Sequence, residues 1–232
     1  PMPARRRALL AVLAAALLLL ASLPTAPPAR AATVLVNTTG DAAGATCPAT
    51  CTLRAAIDAA APGDTITFAP GLTSPIVLAQ GELFIGLDTL KNLTIQGPTG
   101  ASLAVSGNNA SRVFRLGSGS RLAISNLTIQ NANGGAFGGG ILNGGGTLTL
   151  VNVTLAANSA ASGGGGLSNS GTATLMNVTF SGNSASFGGG LYNRDGATAT
   201  LTNVTLSGNA AAPSPGGGVY NEGTATARNT LV

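Results

Sequence analysis

Residues 147–155 read Thr-Leu-Thr-Leu-Val-Asn-Val-Thr-Leu, and the pattern returns at 172–180 as Thr-Ala-Thr-Leu-Met-Asn-Val-Thr-Phe and at 198–206 as Thr-Ala-Thr-Leu-Thr-Asn-Val-Thr-Leu. The central asparagines belong to a column of five: Asn126, Asn152, Asn177, Asn203 and Asn229. The steps along this column are 26, 25, 26 and 26 residues. A constant period in the twenties indicates a solenoid, because one such unit cannot bury its own apolar face and must stack on its neighbours.

Within each unit, threonine alternates with Leu, Val or Ala. A period of two is that of a β-strand whose apolar side chains face a core while the threonines face outward. The alternation shifts by one residue at Asn152 and its equivalents, which predicts a bend there, and asparagine tolerates the left-handed backbone that a corner requires. We therefore predict an all-β fold, a right-handed parallel β-helix solenoid with about three short strands per ~26-residue coil. Such stacking should place three leucines in one vertical file: Leu148, Leu175 and Leu201.

Glycine runs form a second column, ending at Gly140, Gly166, Gly190 and Gly218. An asparagine follows three residues after each run, at Asn143, Asn169, Asn193 and Asn221, and a third asparagine column lies at Asn158, Asn183 and Asn209. We expect these columns to form structural ladders in which the amide of one coil hydrogen-bonds to that of the next. The glycine runs are expected at tight, closely packed corners. They are not phosphate-binding loops, because the one lysine, Lys91, is followed by asparagine and not by Ser or Thr.

Residues 1–31 are predicted to be a secretory signal peptide. Arg5, Arg6 and Arg7 precede an apolar run of 16 residues at 8–23, and Ala29-Arg30-Ala31 forms a small-x-small cleavage site. A transmembrane anchor is the alternative, but the run is shorter than the roughly 20 residues that a spanning helix needs. We therefore expect an exported protein, extracellular or at the cell surface.

Removal of this leader changes the charge balance. The whole chain carries a formal charge of +4, but four of its 11 basic residues lie in the leader, which leaves seven basic against seven acidic residues. A balanced chain offers no basic surface for nucleic acid or for an anionic membrane. With no Trp and two Tyr, the sequence also shows no aromatic platform for bases or sugars.

Residues 32–64 are predicted to form an N-terminal cap. A short strand is followed by Cys47 and Cys51, which in an exported chain indicate a disulfide, with free thiols as the alternative. Residues 52–60 predict a helix, with Thr52 as N-cap. Such a helix can cover the open end of the first coil, which would otherwise expose apolar surface and an unpaired edge. The solenoid is assigned to residues 65–232, and because the chain stops inside a strand we expect it to be truncated at the C-terminus.

Catalytic chemistry has few candidates in this sequence. Histidine is absent, which excludes Ser-His-Asp and Cys-His sites, and no metal or cofactor site is expected. Asp195 and Glu222 lie in the same turn of successive coils, a placement compatible with the paired acids of a polysaccharide lyase or glycosidase. Solvated turn residues are the alternative, and we expect no catalysis.

The segment Cys51-Thr-Leu-Arg-Ala-Ala-Ile57 resembles the Cys-Ser-Leu-Arg-Glu-Ala-Ile box of secreted bacterial right-handed β-helix repeat proteins, with Ala55 in the place of Glu. The Gly-Gly-Gly-apolar-x-Asn and Thr-x-Thr-Leu-x-Asn-Val-Thr units match the repeats of the same group. They are also similar to the repeats of chlamydial-type polymorphic outer-membrane proteins, through Gly134-Gly135-Ala136 and Phe180-Ser-Gly-Asn183. This resemblance implies a β-helix exposed at a bacterial surface, adhesion as the commonest role, and no catalytic residue.

The sequence thus favours a structural or adhesin-like module. Its contact surface would be the strand faces and the turn edge that carries Tyr192, Arg194, Asp195, Tyr220 and Glu222, and its partners would be host-cell, matrix or polysaccharide surfaces. No nucleic-acid partner is expected, and membrane attachment only through a C-terminal anchor beyond residue 232. Ice binding is a further alternative, because Thr-x-Thr recurs on one strand face; threonine is, however, also the favoured outward residue of strands. The pairs are Thr147/Thr149, Thr172/Thr174, Thr198/Thr200 and Thr224/Thr226.

Overall fold

The computed structural model describes residues 31–42, 44–86, 90–100, 102–213 and 216–232. These residues form one helix, α1 (Leu53–Ala59), and 22 strands. The strands in chain order are β1 (Thr33–Val36), β2 (Thr65–Phe68), β3 (Ile76–Val77), β4 (Leu83–Ile85), β5 (Asn92–Gln96), β6 (Leu103–Ser106), β7 (Phe114–Leu116), β8 (Arg121–Ser125), β9 (Leu127–Gln130), β10 (Ile141–Asn143), β11 (Thr147–Val151), β12 (Thr154–Ala156), β13 (Leu167–Asn169), β14 (Thr172–Met176), β15 (Thr179–Ser181), β16 (Ser184–Ala185), β17 (Leu191–Asn193), β18 (Thr198–Thr202), β19 (Thr205–Ser207), β20 (Ala210–Ala211), β21 (Val219–Asn221) and β22 (Thr224–Arg228). The predicted signal peptide lies outside the described residues, except for Ala31.

The strands stack into three long parallel sheets. Sheet A has the order β1-β2-β5-β8-β11-β14-β18-β22, sheet B the order β3-β6-β9-β12-β15-β19, and sheet C the order β4-β7-β10-β13-β17-β21. From β2 onward the chain passes through A, B and C in turn before it returns to A, and β16 and β20 add a short fourth sheet. The prediction of an all-β parallel solenoid with three strands per coil is therefore confirmed.

The core lies inside the coil and is built from vertical files of apolar side chains. In sheet A, Leu150 pairs with Leu175, and Leu175 pairs with Leu201. The prediction that Leu148 belongs to this file is wrong, because Leu148 pairs with Ala173 in a second file beside it. Both files are buried, and burial of each leucine contributes about 1.5–3 kcal/mol.

The corner between sheets A and B is formed by the asparagine column. Asn152, Asn177 and Asn203 have φ values of 55°, 54° and 54°, and Asn126 and Asn229 have 54° and 47°. These left-handed conformations confirm the predicted bend, since a single Asn adopts this region at little cost.

The glycine runs form the entry to sheet C. Gly138, Gly164 and Gly188 have positive φ values of 63°, 68° and 54°. The next glycine in each run packs directly against the adjacent coil, so that a Cβ on Gly139 would overlap the carbonyl oxygens of Gly165 and Ser159. The runs are therefore corners with close backbone packing, as predicted.

The N-terminal cap closes the first coil. Cys47 and Cys51 form a disulfide, so the alternative of free thiols is excluded. Thr52 caps α1, accepting a hydrogen bond from the amide of Ala55 at 3.1 Å. The buried face of α1 covers the core, and Lys91 Nζ donates to carbonyl oxygens of its last turn.

Arg54 ties this cap to the solenoid. Its guanidinium donates two hydrogen bonds to Asp41, at 2.8 and 3.0 Å, and reaches the carbonyl oxygens of Gly81 and Glu82 at 2.7 and 2.9 Å. Burial acts to raise the pKa of Asp41, but the hydrogen bonds from Arg54 and from the amides of Gln80 and Ala79 outweigh burial and hold the pKa below its ordinary value. Arg54 thus has a structural role in this chain. No helix within the described residues is long and apolar enough to cross a membrane.

Candidate binding surface

The predicted asparagine ladders are present as hydrogen-bonded columns. In the buried ladder, the Nδ2 of Asn143 donates to Asn169 at 2.7 Å, Asn169 to Asn193 at 2.8 Å, and Asn193 to Asn221 at 2.7 Å. The first three of these side chains have no exposed surface. Because the amides are used within the ladder, these residues hold successive coils together and leave no free group for a ligand.

The corner asparagines form a second, exposed ladder with the opposite direction of donation. Asn152 donates to Asn126 at 3.1 Å, Asn177 to Asn152 at 3.0 Å, and Asn203 to Asn177 at 3.1 Å. The third column donates in the same direction as the buried ladder, since Asn158 donates to Asn183 at 3.0 Å and Asn183 to Asn209 at 2.9 Å.

Asp195 and Glu222 are not equivalent in the structure. Asn193 pairs with Asn221, which puts Glu222 level with Arg194. The turn after Asn193 is two residues longer than the turn after Asn221, and Asp195 lies exposed in the longer turn. Glu222 Oε2 accepts a hydrogen bond from the Tyr192 hydroxyl at 2.6 Å.

Four aromatic rings meet beside this turn. The ring centroids of Phe137 and Tyr192 are 6.2 Å apart, those of Tyr192 and Tyr220 are 5.5 Å apart, and those of Tyr220 and Phe187 are 5.0 Å apart. The guanidinium of Arg194 lies 4.8 Å from the Phe137 centroid and 6.0 Å from that of Tyr192, within the range of cation–π attraction. We call Phe137, Phe187, Tyr192, Tyr220, Arg194 and Glu222 the aromatic patch.

Two elements of the coil position these rings. Tyr192 and Tyr220 are the central residues of β17 and β21 and pair with each other in register; Tyr192 is buried and Tyr220 is partly exposed. Phe137 and Phe187 lie in the loop before the glycine run, and both bridge to Gly163 of the coil between them. A Cβ on Gly163 would overlap the Tyr192 ring. The ring of Tyr192 therefore fills the space that the missing side chain leaves between the two phenylalanines.

The environment changes the ionisation of Tyr192. Burial raises the pKa of its hydroxyl, and the hydrogen bond to Glu222 together with the charge of that carboxylate raises it further, against a smaller opposing effect of Arg194. The phenol is therefore neutral at physiological pH and acts as a hydrogen-bond donor to Glu222.

An arginine holds the loop that carries Phe137. The guanidinium of Arg112 donates to the carbonyl oxygens of Gly134, Phe137 and Gly138 at 2.6, 2.7 and 2.8 Å. It also pairs with Glu82, and its side chain is only 11% exposed. Arg112 thus anchors the backbone of the loop at Phe137 itself and fixes the position from which its ring projects.

The sequence interpretation found only part of this surface. Tyr192, Arg194 and Tyr220 were predicted as contact residues, and the structure brings them together. Phe137 and Phe187 were missed, and the expectation that the chain lacks an aromatic platform is wrong. The available signal was their common position three residues before the last glycine of a run, where Gly163 also lies.

Other surfaces offer less chemistry. A groove of about 500 Å³ at the corner of the early coils is lined by apolar and small polar residues, including Phe68, Leu72, Pro98 and Leu103, and none of the described lining residues is charged. No group of three His, Cys, Asp or Glu that could hold a metal ion occurs among the described residues.

No protein-family model matches the chain, and neither a curated protein nor a solved structure matches it.

Proposed function

We propose that this chain is an exported, non-catalytic, adhesin-like β-solenoid module that attaches to another molecule through the aromatic patch. The observation that carries the proposal is the convergence of four of the eight aromatic residues, together with Arg194, at one corner of the coil. Tyr and Arg are enriched at the energetic centres of binding surfaces, because they combine a large apolar contact with hydrogen-bonding groups.

The rest of the fold supports a scaffold role. Three asparagine ladders and a continuous apolar core hold successive coils in register, so the patch rests on a rigid base. Such pre-organisation lowers the entropy that is lost on binding. The predicted leader and the Cys47–Cys51 disulfide support export, since disulfides persist in oxidising compartments. The resemblance to chlamydial-type surface proteins points to the same role.

A polysaccharide lyase or glycosidase is the alternative function. The placement of Glu222 beside aromatic rings favours it, because sugar-cleaving sites combine carboxylates with stacking surfaces. Against it, Glu222 is aligned with Arg194 and not with Asp195, so the second acid that such chemistry needs is not at the equivalent position.

Both functions can be separated in one experiment with the full chain. The protein is applied to immobilised matrix proteins and to neutral and acidic polysaccharides, and both retention and the release of new reducing ends or unsaturated sugars are measured. We expect retention on at least one surface, no product release, and about tenfold weaker retention for Tyr220→Ala, equivalent to about 1.4 kcal/mol. Thr200→Ala, at an exposed position of sheet A outside the patch, is the matched control and should bind like the parent.

Two results would contradict the proposal. Retention that is equal in Tyr220→Ala, Arg194→Ala and the parent would mean that the patch is not the contact surface. Product release that is lost in Asp195→Ala would establish the enzymatic alternative.

A further inference from the structure

Asp64 is a buried carboxylate at the start of sheet A. It directly precedes β2, and only 7% of its surface is exposed. Each of its two oxygens accepts a backbone amide: Oδ1 accepts from Ala32 at 2.7 Å, and Oδ2 accepts from Ala61 at 2.8 Å. Aspartate is seldom buried unless a positive charge is close, because two amide hydrogen bonds replace only part of the hydration that a charged carboxylate loses.

The side chains of the described residues supply no cation to Asp64. Their ion pairs join Arg54 to Asp41, and two further arginines to Glu82. Asp41 is buried to the same extent as Asp64, but it accepts hydrogen bonds from the guanidinium of Arg54 in addition to two backbone amides. A positive charge on the nitrogen of Ala32 would give Asp64 the kind of partner that Arg54 gives to Asp41.

The nitrogen of Ala32 is also the atom that removal of the predicted leader would free. The small-x-small site Ala29-Arg30-Ala31 places the cleavage between Ala31 and Ala32. Hydrolysis of this peptide bond consumes one water: its oxygen joins the carbonyl carbon of Ala31, which leaves as a carboxylate, and the nitrogen of Ala32 takes up the protons and becomes an α-ammonium. The atom that donates to Asp64 then carries a positive charge at neutral pH, where α-amino groups are mostly protonated.

The surroundings of Ala32 suit a chain terminus. Ala31 and Ala32 are both exposed, so water can solvate the two further N–H groups of an ammonium. The carbonyl oxygen of Ala32 accepts a hydrogen bond from the Thr65 amide at 2.9 Å, and the parallel pairing of β1 with β2 begins at the next residue. Ala32 is therefore held at its nitrogen and at its carbonyl, and every described helix and strand lies C-terminal to it.

From these observations we infer that Asp64 is the binding site of the mature N-terminus: the leader is removed between Ala31 and Ala32, and the new α-ammonium forms an ion pair with the Asp64 carboxylate. Removal of the leader turns a neutral amide hydrogen bond into a charge-assisted one, which is about twice as strong. The ion pair fastens β1 to β2 at the end of the solenoid that α1 covers. The inference depends on the predicted leader and not on the aromatic patch, so either can fail without the other.

The first test identifies the mature N-terminus. The full precursor is expressed in a bacterial host, and the exported fraction is analysed by intact mass and by sequencing of the N-terminal peptide. We expect a chain that begins at Ala32. An exported chain that begins at any other residue would overturn the inference, because its α-ammonium would not be the nitrogen that lies 2.7 Å from Asp64.

The second test measures whether the charge on Ala32 acts on Asp64. Enzymatic acetylation of the α-amine keeps one N–H donor and removes the charge, so it separates the ion pair from the hydrogen bond. Hydrogen exchange of the Thr65 amide reports the docking of this segment, because that amide donates to the Ala32 carbonyl. Acetylation should lower the protection of this amide about fivefold in the parent, which is the difference between a charged and a neutral hydrogen bond, and should have no effect in Asp64→Asn.

Asp58→Asn is the matched control, because Asp58 is an exposed carboxylate of α1; acetylation should act in this variant as it does in the parent. A further measurement needs no variant. An amine-specific reagent should acylate the α-amine of the folded parent about tenfold more slowly than that of the urea-unfolded chain, because an ammonium paired with a carboxylate keeps its proton and does not react. An acetylation effect of equal size in Asp64→Asn and the parent, or equal acylation rates in the folded and unfolded chain, would show that Asp64 does not hold the terminus.

Discussion

Replacement of Asn169 by alanine tests what holds the coils in register. The side chain is completely buried at the centre of the ladder that joins β10, β13, β17 and β21. Its Nδ2 lies 2.8 Å from Asn193 Oδ1, 3.0 Å from the Thr198 carbonyl and 3.1 Å from the Gly171 carbonyl. Its Oδ1 accepts from Asn143 Nδ2 at 2.7 Å and from the Gly171 amide at 3.3 Å.

These contacts give the expected magnitude. An amide nitrogen has two hydrogens, so the five contacts amount to about four hydrogen bonds. Each contributes about 1 kcal/mol net, and partners left buried without a bond cost more. Asn169→Ala should therefore lower the free energy of unfolding by about 4 kcal/mol.

Asn152→Gly is the matched control from the exposed ladder. It also removes two inter-coil amide bonds, at 3.1 and 3.0 Å, but water can replace them, and glycine accepts the φ of 55° at this corner. We expect a loss of about 1 kcal/mol or less. The two variants thus interrupt ladders of the same residue type, one buried and one exposed to water.

Urea unfolding followed by circular dichroism and by tyrosine fluorescence measures both variants. Circular dichroism reports the whole solenoid, whereas fluorescence reports Tyr192 and Tyr220 near one end, so coincident curves establish a two-state transition. If the curves differ, hydrogen exchange at the amides of Thr172 and Thr198 gives the local stability around the ladder. A loss in Asn169→Ala that is no larger than in Asn152→Gly would refute the argument that buried amide ladders fix the register.

Four further predictions follow from other parts of the fold. Asp41→Asn should lower the free energy of unfolding by about 3 kcal/mol at neutral pH, because it breaks the buried pair with Arg54. The pKa of Asp41 is lowered from 3.8, so the stability from this pair is present above pH 3.8 and is lost as the pH falls through the lowered pKa. The urea midpoints of parent and variant should therefore converge at that low pH. Gly163→Ala should displace the Tyr192 ring, weaken ligand binding about tenfold and lower the free energy of unfolding by about 1–3 kcal/mol, while Ser162→Ala should leave both binding and stability unchanged. Normal binding in Gly163→Ala would show that the displaced ring is not needed for binding. Burial and Glu222 raise the pKa of Tyr192 above 10.0, so the neutral phenol stabilises the fold below pH 10 and this stability is lost as the pH rises through the raised pKa. Above pH 10 the urea midpoint of the parent should therefore fall relative to that of Tyr192→Phe. Midpoints that change with pH in the same way in both proteins would contradict this. Thermal hysteresis should be absent, because the threonine columns of sheet A extend through only four coils and end at Arg121 and Ala123; measurable hysteresis that disappears in Thr174→Leu would restore ice binding.

The periodic features of this protein could be predicted from the sequence. The period of about 26 residues, the alternation within strands and the asparagine at the corner are local signals that recur in every coil. Their physical causes, strand alternation and the left-handed backbone of Asn152 and its equivalents, act within a few residues. The sequence therefore predicts the solenoid, its strands, its corners and the asparagine ladder columns.

Features that depend on the alignment of different coils could not be predicted in the same way. Because the turn after Asn193 is two residues longer than the turn after Asn221, Glu222 is aligned with Arg194 and not with Asp195. The reach of Arg112 to the loop of Phe137 also depends on distances between coils that spacing alone leaves open.

The sequence by itself determined that successive coils stack, because each has an apolar face that only its neighbours can cover. The tertiary structure alone decided how the aromatic patch is assembled. Phe137, Gly163 and Phe187 are one column of three coils, and the ring of Tyr192 enters it because the middle residue has no side chain. That arrangement depends on side-chain directions across coils, which no local pattern in the chain encodes.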